Sequence, residues 1–260
     1  MLLAVDIGNS NIVLGIDYQK KWHHIWRIET SLSKGKKDYA MAISDLFLEH
    51  NFKPNVIRQI VLSSVVPPLT EAIEQVLTEL FEQKPLLIGP AVYSKLSMAI
   101  DRPHEIGSDL VANAVAAYHK FRQASIVVDF GTALTFTVVS DTGQILGVSI
   151  APGLKTAMYS LFANTAQLPE VPLELPPSVI GKNTVTALQS GVLWGYVGLV
   201  EYMLKQIKSE LKDDCKVVAT GGLAKIIPAL AQHFDEIDQS LTLNGLRIIS
   251  EIFTNQSEIL

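Results

Sequence analysis

Residues 126–132, Ile-Val-Val-Asp-Phe-Gly-Thr, decide the fold, because the same pattern stands at residues 2–8, Leu-Leu-Ala-Val-Asp-Ile-Gly. In both stretches an apolar run predicts a buried strand, followed by an aspartate and, two positions later, a glycine. The aspartates Asp6 and Asp129 lie 123 residues apart, a domain-sized spacing, whereas solenoid repeats run to about 20 to 50 residues. We therefore predict an α/β protein of two homologous lobes, residues 1–115 and 116–260, with a ligand between them.

Each aspartate lies in a similar series of expected elements. The first copy predicts a hairpin of strands at 2–6 and 11–16 and a third strand at 22–29. The second copy predicts one strand that ends near Asp129 and two further strands, at 134–139 and 145–150. The rest of the first lobe predicts a strand at 57–66 and helices at 38–50, 70–83 and 111–121. Thr70 is the expected cap of the second helix, and Ser108 or Asp109 that of the third.

A third glycine turn follows an expected strand at 217–219. Its sequence is Thr220-Gly221-Gly222, and we expect a helix to follow as far as Leu230. Backbone amides at such a junction are free to contact an anion or a purine. Neither the Gly-x-Gly-x-x-Gly fingerprint after a strand nor a P-loop sequence occurs, which argues against a Rossmann site and against a P-loop nucleotidase.

The composition indicates an ordered globular protein with few charges for its size. Hydrophobic residues make up 48% and charged residues 18%, and the formal net charge of -5 argues against a nucleic-acid partner. The single cysteine, Cys215, excludes an internal disulfide and fits a reducing compartment. Residues 1–6 lack a basic leader, and the apolar stretch at 191–200 is shorter than the about 18 residues of a membrane span. We expect a cytoplasmic protein with no membrane partner.

The Asp-x-Gly turns have the chemistry that a magnesium–nucleotide site requires. A carboxylate at a strand end, beside a glycine that lets a phosphate approach the main chain, is present in Asp-Ile-Gly-Asn-Ser at 6–10. For one copy alone an ordinary hairpin is the alternative, because these are favoured turn residues. The second copy, Asp-Phe-Gly-Thr at 129–132, favours the nucleotide site.

Together the three turns resemble the phosphate-1, phosphate-2 and adenosine motifs of the actin, sugar kinase and heat-shock ATPase superfamily. That resemblance implies two ribonuclease H-like lobes with the nucleotide in the cleft between them. Within the superfamily the chain closely resembles type III pantothenate kinases. The supporting sequences are SVVP at 64–67, PHEIGSD at 103–109, NAVAA at 113–117, PG at 152–153, IGKNT at 180–184, QSG at 189–191 and GYVGLVE at 195–201. They stand in the family's order and span nearly the whole chain.

The resemblance implies transfer of the ATP γ-phosphate, with Mg²⁺, to the primary hydroxyl of pantothenate, the first step toward coenzyme A. It makes Asp109 the catalytic base, Asp6 the organiser of the magnesium–nucleotide and Asp129 the contact of a monovalent cation, K⁺ or NH₄⁺. The residues implied to contact ATP and its phosphates are Asp6, Gly8, Asn9, Ser10, Gly131, Thr132, Gly221 and Gly222. Physically, a carboxylate at a helix start can accept a hydroxyl proton, and a plain helix N-cap is the alternative for Asp109.

The substrate pocket departs from the family at two positions. The residues implied to contact pantothenate are Gly107, Ser108, Asp109, Ile100 and Thr184. The family usually has Gly-Ala-Asp-Arg where this chain has Gly-Ser-Asp-Leu at 107–110, and it commonly has a tyrosine where Ile100 stands. Loss of the arginine's charge-assisted contact costs about 1.5 to 3 kcal/mol. Arg102 and Lys155 are the nearby candidates to replace it.

Thr184 matches a family position that reaches pantothenate from the partner subunit, and an exposed helix cap is its alternative. Gly191, Gly195 and Gly198 allow close backbone approach, either in an internal helix crossing or in a dimer. The resemblance favours a homodimer. Pro152 and Gly153 are expected to bring backbone near a phosphate or to form an ordinary turn.

Three functions remain open from the sequence. The first is a pantothenate kinase. The second is a nucleotide-binding regulatory or scaffold protein whose altered pocket has lost turnover. The third is a kinase of a related small alcohol.

Overall fold

A computed structural model describes residues 1–96, 98–212 and 214–257, with the side chains of the last helix described as far as Thr254. The chain forms two compact units. Unit 1 comprises Met1–Ala116 together with the segment from Thr242 onward, and unit 2 comprises Ala117–Leu241. Each unit has a hydrophobic core of its own.

Unit 1 is built on a five-stranded mixed sheet. Its elements are β1 (Leu2–Ile7), β2 (Asn11–Tyr18), β3 (Lys21–Glu29), α1 (Lys36–Glu49), β4 (Gln59–Ser64), α2 (Pro67–Phe81), β5 (Leu86–Leu87) and α3 (Pro90–Tyr93). The strand order is β3-β2-β1-β4-β5. The pairs β1/β2 and β2/β3 are antiparallel, whereas β1/β4 and β4/β5 are parallel. The predicted hairpin, third strand and fourth strand are therefore confirmed.

Unit 2 repeats this topology. Its elements are β6 (Ser125–Phe130), β7 (Ala133–Val139), β8 (Ile145–Pro152), α5 (Leu154–Ala163), α6 (Thr184–Leu211), β9 (Lys216–Thr220) and β10 (Glu236–Ile237). The strand order is β8-β7-β6-β9-β10, again with an antiparallel meander followed by parallel strands. The two remaining helices, α4 (Ser108–Phe121) and α7 (Leu241–Ser257), run across the boundaries between the units. The internal repeat read from the sequence is thus present as a repeated sheet.

The central strands β1 and β6 are almost wholly buried. Each lies between an antiparallel and a parallel neighbour, with side chains covered on both faces, which explains apolar runs without alternation. Each aspartate therefore stands at the carboxyl end of the most buried strand of its sheet.

Three local predictions are wrong. Helix α4 already begins at Ser108, so Ser108 and Asp109 lie in its first turn and neither is the expected N-cap. Helix α2 begins at Pro67, three residues before the expected cap Thr70, because proline is favoured at the first helical positions, where no backbone donor is needed. The hydroxyl of Thr70 instead donates to the Val66 carbonyl oxygen. The helix expected from Gly222 to Leu230 is replaced by turns and a 3₁₀ segment at Pro228–His233, because Pro228 removes a backbone donor.

The division of the chain differs from the predicted lobes, 1–115 and 116–260, in its last segment. Residues from Thr242 onward belong with unit 1, where Trp22 Nε1 donates to Asn244 Oδ1 at 2.8 Å. Helix α7 also lies so close to α4 that a Cβ at Gly245 would stand 1.9 Å from the Ala112 carbonyl oxygen. Contacts between residues far apart in sequence give no local pattern, so the sequence did not place this helix.

Candidate functional site

The β1–β2 turn holds the first group of predicted phosphate contacts, Asp6, Gly8, Asn9 and Ser10. The Gly8 amide donates to the Asn11 carbonyl oxygen at 3.0 Å, and Asn9 and Ser10 are exposed at the tip. Thr30, which the sequence reading did not single out, stabilises the turn. Its hydroxyl donates to the Gly8 carbonyl oxygen at 2.7 Å, and its amide donates to the Ser10 carbonyl oxygen at 3.1 Å.

The β6–β7 turn is the equivalent structure in unit 2 and contains Asp129, Gly131 and Thr132. The carbonyl oxygen of Thr132 accepts the Gly153 amide at 3.1 Å and the Thr156 hydroxyl at 2.8 Å. A Cβ at Gly153 would stand 2.4 Å from the carbonyl oxygens of both Gly131 and Thr132. Residues 152–153 therefore pack directly against the β6–β7 turn.

The turn after β9 completes the glycine-rich surface of unit 2. Gly221 has a φ of +92°, and a Cβ there would lie 2.5 Å from Asp129 Oδ1. Only glycine adopts this conformation without strain and also fits against the carboxylate. At Gly222, by contrast, a Cβ would meet nothing within 4 Å, so its backbone borders open space.

A chain of buried hydroxyls connects Asp6 to the start of helix α4. Ser63 pairs with Asp6 in the parallel β1/β4 register, and its hydroxyl donates to Asp6 Oδ1 at 2.7 Å. Ser63 Oγ lies 2.9 Å from Ser108 Oγ, which also accepts the Ser64 amide at 3.0 Å. The next residue after Ser108 is Asp109. The sequence reading missed Ser63, because its place beside Asp6 follows from strand register rather than from a local motif.

The predicted base, Asp109, lies in the first turn of α4. Its Oδ1 accepts its neighbour Leu110's amide at 2.8 Å, and burial raises the pKa of the carboxyl above its ordinary value of 3.8. Gly107 makes room for it, since a Cβ there would lie 2.4 Å from Asp109 Oδ1. A second ionisable group, Tyr93, is buried nearby, and burial together with the negative charge of Asp109 raises the pKa of Tyr93 to about 12. The phenol is thus neutral.

The two positions at which the predicted substrate pocket departs from the family carry apolar side chains. Ile100 and Leu110 are half-buried apolar side chains. Arg102, one candidate to replace the missing arginine, forms an exposed ion pair with Glu105 at 3.1 Å. Lys155, the other candidate, is exposed in the first turn of α5.

Thr184 is the exposed first residue of α6, and its alternative reading as a helix cap is wrong. The cap is Asn183, whose side chain accepts the Thr186 amide at 2.9 Å. Along the same helix a Cβ at Gly191, Gly195 or Gly198 would meet nothing within 4 Å. An internal helix crossing at these glycines is therefore absent from the part of the chain that the structure describes, and their face of the helix is exposed.

No group of three or more His, Cys, Asp or Glu side chains able to hold a metal ion occurs among the described residues. Asp6 and Asp129 are single carboxylates, the type of site in which Mg²⁺ takes one or two protein ligands and the rest from phosphates and water. In residues 1–96, 98–212 and 214–257, no helix has the length and apolar character needed to cross a membrane.

Comparison with known proteins gives one consistent result. The family model for type III pantothenate kinases matches residues 2–206. A type III pantothenate kinase of Anaeromyxobacter sp. (strain Fw109-5) is 45% identical over 251 residues, which cover 96% of this chain and 99% of that protein.

Solved structures resemble the fold across nearly the whole chain. MreB 5 of Spiroplasma citri bound to AMPPNP has a TM-score of 0.59 at 11% identity, covering 99% of this chain and 98% of the other. The activator of the 2-hydroxyisocaproyl-CoA dehydratase from Clostridium difficile with bound ADPNP has a TM-score of 0.55 at 12% identity, covering 99% and 97%. At such identities the likeness shows the fold alone, and the predicted α/β fold of two actin-like lobes is confirmed.

Proposed function

The chain belongs to the type III pantothenate kinase family, and on that premise we propose that it transfers the γ-phosphate of ATP to the primary hydroxyl of pantothenate. The products are 4′-phosphopantothenate and ADP, and the reaction is the first step of coenzyme A biosynthesis. The observation that carries the assignment to this site is the half-buried Asp109 in the first turn of α4, whose carboxylate lies against Gly107.

Asp109 acts as the general base. As the acceptor oxygen forms its bond to the γ-phosphorus, the bond from that phosphorus to the ADP oxygen breaks, and the acceptor's proton passes to the Asp109 carboxylate. The raised pKa of Asp109 makes it a stronger base than an exposed aspartate, and a base whose pKa is closer to the working pH transfers protons more effectively. The Leu110 amide that bonds Oδ1 fixes the direction of the carboxyl group.

Phosphate binding falls to the backbone of the two Asp-x-Gly turns. In unit 1 the contacts are those of Gly8, Asn9 and Ser10, and in unit 2 those of Gly131 and Thr132. Both turns are held by internal hydrogen bonds before any ligand arrives, so little conformational entropy is lost on binding. Gly221 and Gly222 lie at the third turn, where the open space at Gly222 suits the flat purine.

Two cations fit the available oxygen atoms. Asp6 would hold the magnesium–nucleotide, and Mg²⁺ supplies neutralisation of phosphate charge when bound. Asp129 would contact the monovalent cation. Thr135 lies opposite Asp129 in the β6/β7 register, and its buried hydroxyl has no hydrogen-bond partner among the described residues. A carboxylate beside such a hydroxyl provides oxygen ligands of the kind that K⁺ accepts.

The decisive test is acceptor-dependent ADP release by the purified protein with ATP, Mg²⁺, and K⁺ or NH₄⁺. A panel of acceptors should include pantothenate and related small alcohols, because Ile100 and Leu110 alter the pocket. We expect pantothenate to be phosphorylated, and mass spectrometry to find 4′-phosphopantothenate. If only another alcohol reacts, the kinase chemistry stands and the substrate is wrong. If ATP binds and no acceptor reacts, the protein is a regulatory nucleotide binder.

We also propose that the working assembly is a cytoplasmic homodimer. The exposed glycine face of α6 supports it, as does the exposure of Ile180, 78% accessible in the chain alone, close before Thr184. A groove of about 640 Å³ borders Thr184 in unit 2. Sedimentation should give about twice 28.5 kDa at micromolar concentration. Thr184→Ala should raise KM for pantothenate and leave KM for ATP unchanged, and a fully active monomer would refute the dimer.

A further inference from the structure

Near the end of strand β4 lies a polar residue, Ser63, to which the proposed function assigns no role. Ser63 is 0% exposed, in a strand whose neighbouring positions Val61 and Leu62 are buried apolar residues. A hydroxyl in such a place costs free energy unless its hydrogen bonds are made. Both of its bonds go to residues of the proposed site, Asp6 and Ser108.

We propose that Ser63 is a positioning residue for phosphoryl transfer, and that its hydroxyl holds the Asp6 carboxylate in the orientation that receives the magnesium–nucleotide. This inference rests on the proposed function. Ser63 has one hydroxyl proton, and it donates that proton to Asp6 Oδ1 at 2.7 Å. Hydrogen bonds to a charged acceptor are about twice as strong as those between neutral groups. The bond therefore favours the Asp6 orientation in which Oδ1 faces Ser63.

Ser108 completes the link on the other side. Ser108 Oγ lies 2.9 Å from Ser63 Oγ and 3.1 Å from the Ser64 carbonyl oxygen, and these two acceptors share its one hydroxyl proton. The Ser108 hydroxyl in turn accepts the Ser64 amide at 3.0 Å and is 4% exposed. The start of α4, which includes Asp109, is thereby tied to the same hydroxyl that orients Asp6. A displacement of Ser63 would therefore shift both the Asp6 carboxylate, which is proposed to organise the metal, and the start of α4, which carries Asp109.

The experiment measures affinity for Mg·AMPPNP by calorimetry, together with kcat and KM for ATP, in four proteins. These are the wild type, Ser63→Ala, Ser63→Cys and Ser64→Ala. Ser63→Ala should weaken Mg·AMPPNP affinity about tenfold and lower kcat, because Asp6 loses its oriented donor. Ser63→Cys keeps the volume but donates weakly, so its affinity should lie between those of the alanine variant and the wild type.

Ser64→Ala is the matched control. The Ser64 hydroxyl forms a hydrogen bond with Thr70 Oγ1 at 2.7 Å and accepts the Val66 amide at 3.2 Å. Its loss should lower the melting temperature while nucleotide affinity stays within about twofold of the wild type. If Ser63→Ala lowers only the melting temperature, and binds Mg·AMPPNP like the wild type, Ser63 has a structural role and the inference is wrong.

A double-mutant cycle tests the link itself. Ser108→Ala should weaken Mg·AMPPNP affinity in the wild type but add little in the Ser63→Ala background, since the link is already broken there. Fully additive effects would contradict it. These binding measurements need no acceptor, so they remain decisive if the wild type binds nucleotide and fails to phosphorylate pantothenate, an outcome that would refute the proposed function alone.

Discussion

The two Asp-x-Gly turns share a topology and differ in what faces the aspartate. In unit 1 the neighbouring parallel strand β4 presents the Ser63 hydroxyl, which bonds Asp6. In unit 2 the equivalent strand β9 is followed by Gly221, whose missing side chain leaves room for Asp129 Oδ1. In the β6/β9 register Asp129 pairs with Thr220, as Asp6 pairs with Ser63 in the β1/β4 register, so the two turns differ in the close approach of Gly221 to Asp129.

This difference matches a division of chemistry. On the proposed function, we expect Asp6, held by Ser63, to suit a small divalent ion with strict geometry, and Asp129, beside Gly221 and Thr135, to suit a larger monovalent ion. On the proposed function, the two similar turns would take different roles because different residues lie next to each aspartate.

The largest effect should come from the base. Asp109→Asn keeps the size of the side chain and removes its ability to take a proton, so kcat should fall by about a hundred- to ten-thousand-fold. Nucleotide affinity should persist, because Asp109 does not contact ATP in the proposed site. Asp45→Asn, the same change at an exposed position of α1, should leave kcat unchanged. Near wild-type turnover in Asp109→Asn would remove Asp109 from the mechanism.

The same variant has a predictable effect on stability. Because burial raises the pKa of Asp109 above its unfolded value, the folded state binds the proton more tightly. Stability is therefore greatest below the unfolded pKa and falls as pH rises through the folded pKa. At neutral pH the ionised carboxylate opposes folding, so Asp109→Asn should melt at the same temperature as the wild type or higher. A marked loss would indicate that the carboxylate is mainly a helix cap.

The second effect separates the two aspartates. Asp6→Asn should raise KM for Mg·ATP about ten- to hundredfold, through loss of a charged contact, at any concentration of K⁺. Asp129→Asn should instead weaken activation by K⁺ or NH₄⁺, so that more salt is needed for half-maximal rate. Titrating Mg²⁺ and K⁺ separately in both variants distinguishes them. Identical responses would show that the turns do not differ in function.

The third effect is on stability and concerns Gly221, in the turn that follows β9. Gly221→Ala places a Cβ at a φ of +92° and 2.5 Å from Asp129 Oδ1, so it should lower the free energy of unfolding by about 2 kcal/mol or more. Urea denaturation measures this. Gly147→Ala in β8, where a Cβ meets nothing within 4 Å, should change it by less than about 0.5 kcal/mol. Equal stabilities would show that the strain is relieved elsewhere.

The sequence predicted what depends on local pattern. The two hairpins, their aspartates and the repeat followed from apolar runs and turn residues. It did not predict that Ser63 and Tyr93 lie near the site residues, or that α7 packs with unit 1, because these contacts depend on strand register or tertiary packing. The predictions for the start of α2 and for the segment after Gly222 were wrong because prolines lie there. A single proline changes the backbone more than the surrounding pattern indicates.

The smallest effect compares two threonines that support equivalent turns. Thr30 donates to the Gly8 carbonyl oxygen at 2.7 Å from a half-buried position, and Thr156 donates to the Thr132 carbonyl oxygen at 2.8 Å from an exposed one. Thr30→Val should cost about 1 kcal/mol of unfolding free energy, since the carbonyl it leaves is shielded from water. Thr156→Val should cost less, because water replaces the lost donor. Denaturation and KM for ATP check both variants, and a larger loss at Thr156 would mean that the β6–β7 turn depends more on its supporting hydroxyl than the β1–β2 turn does.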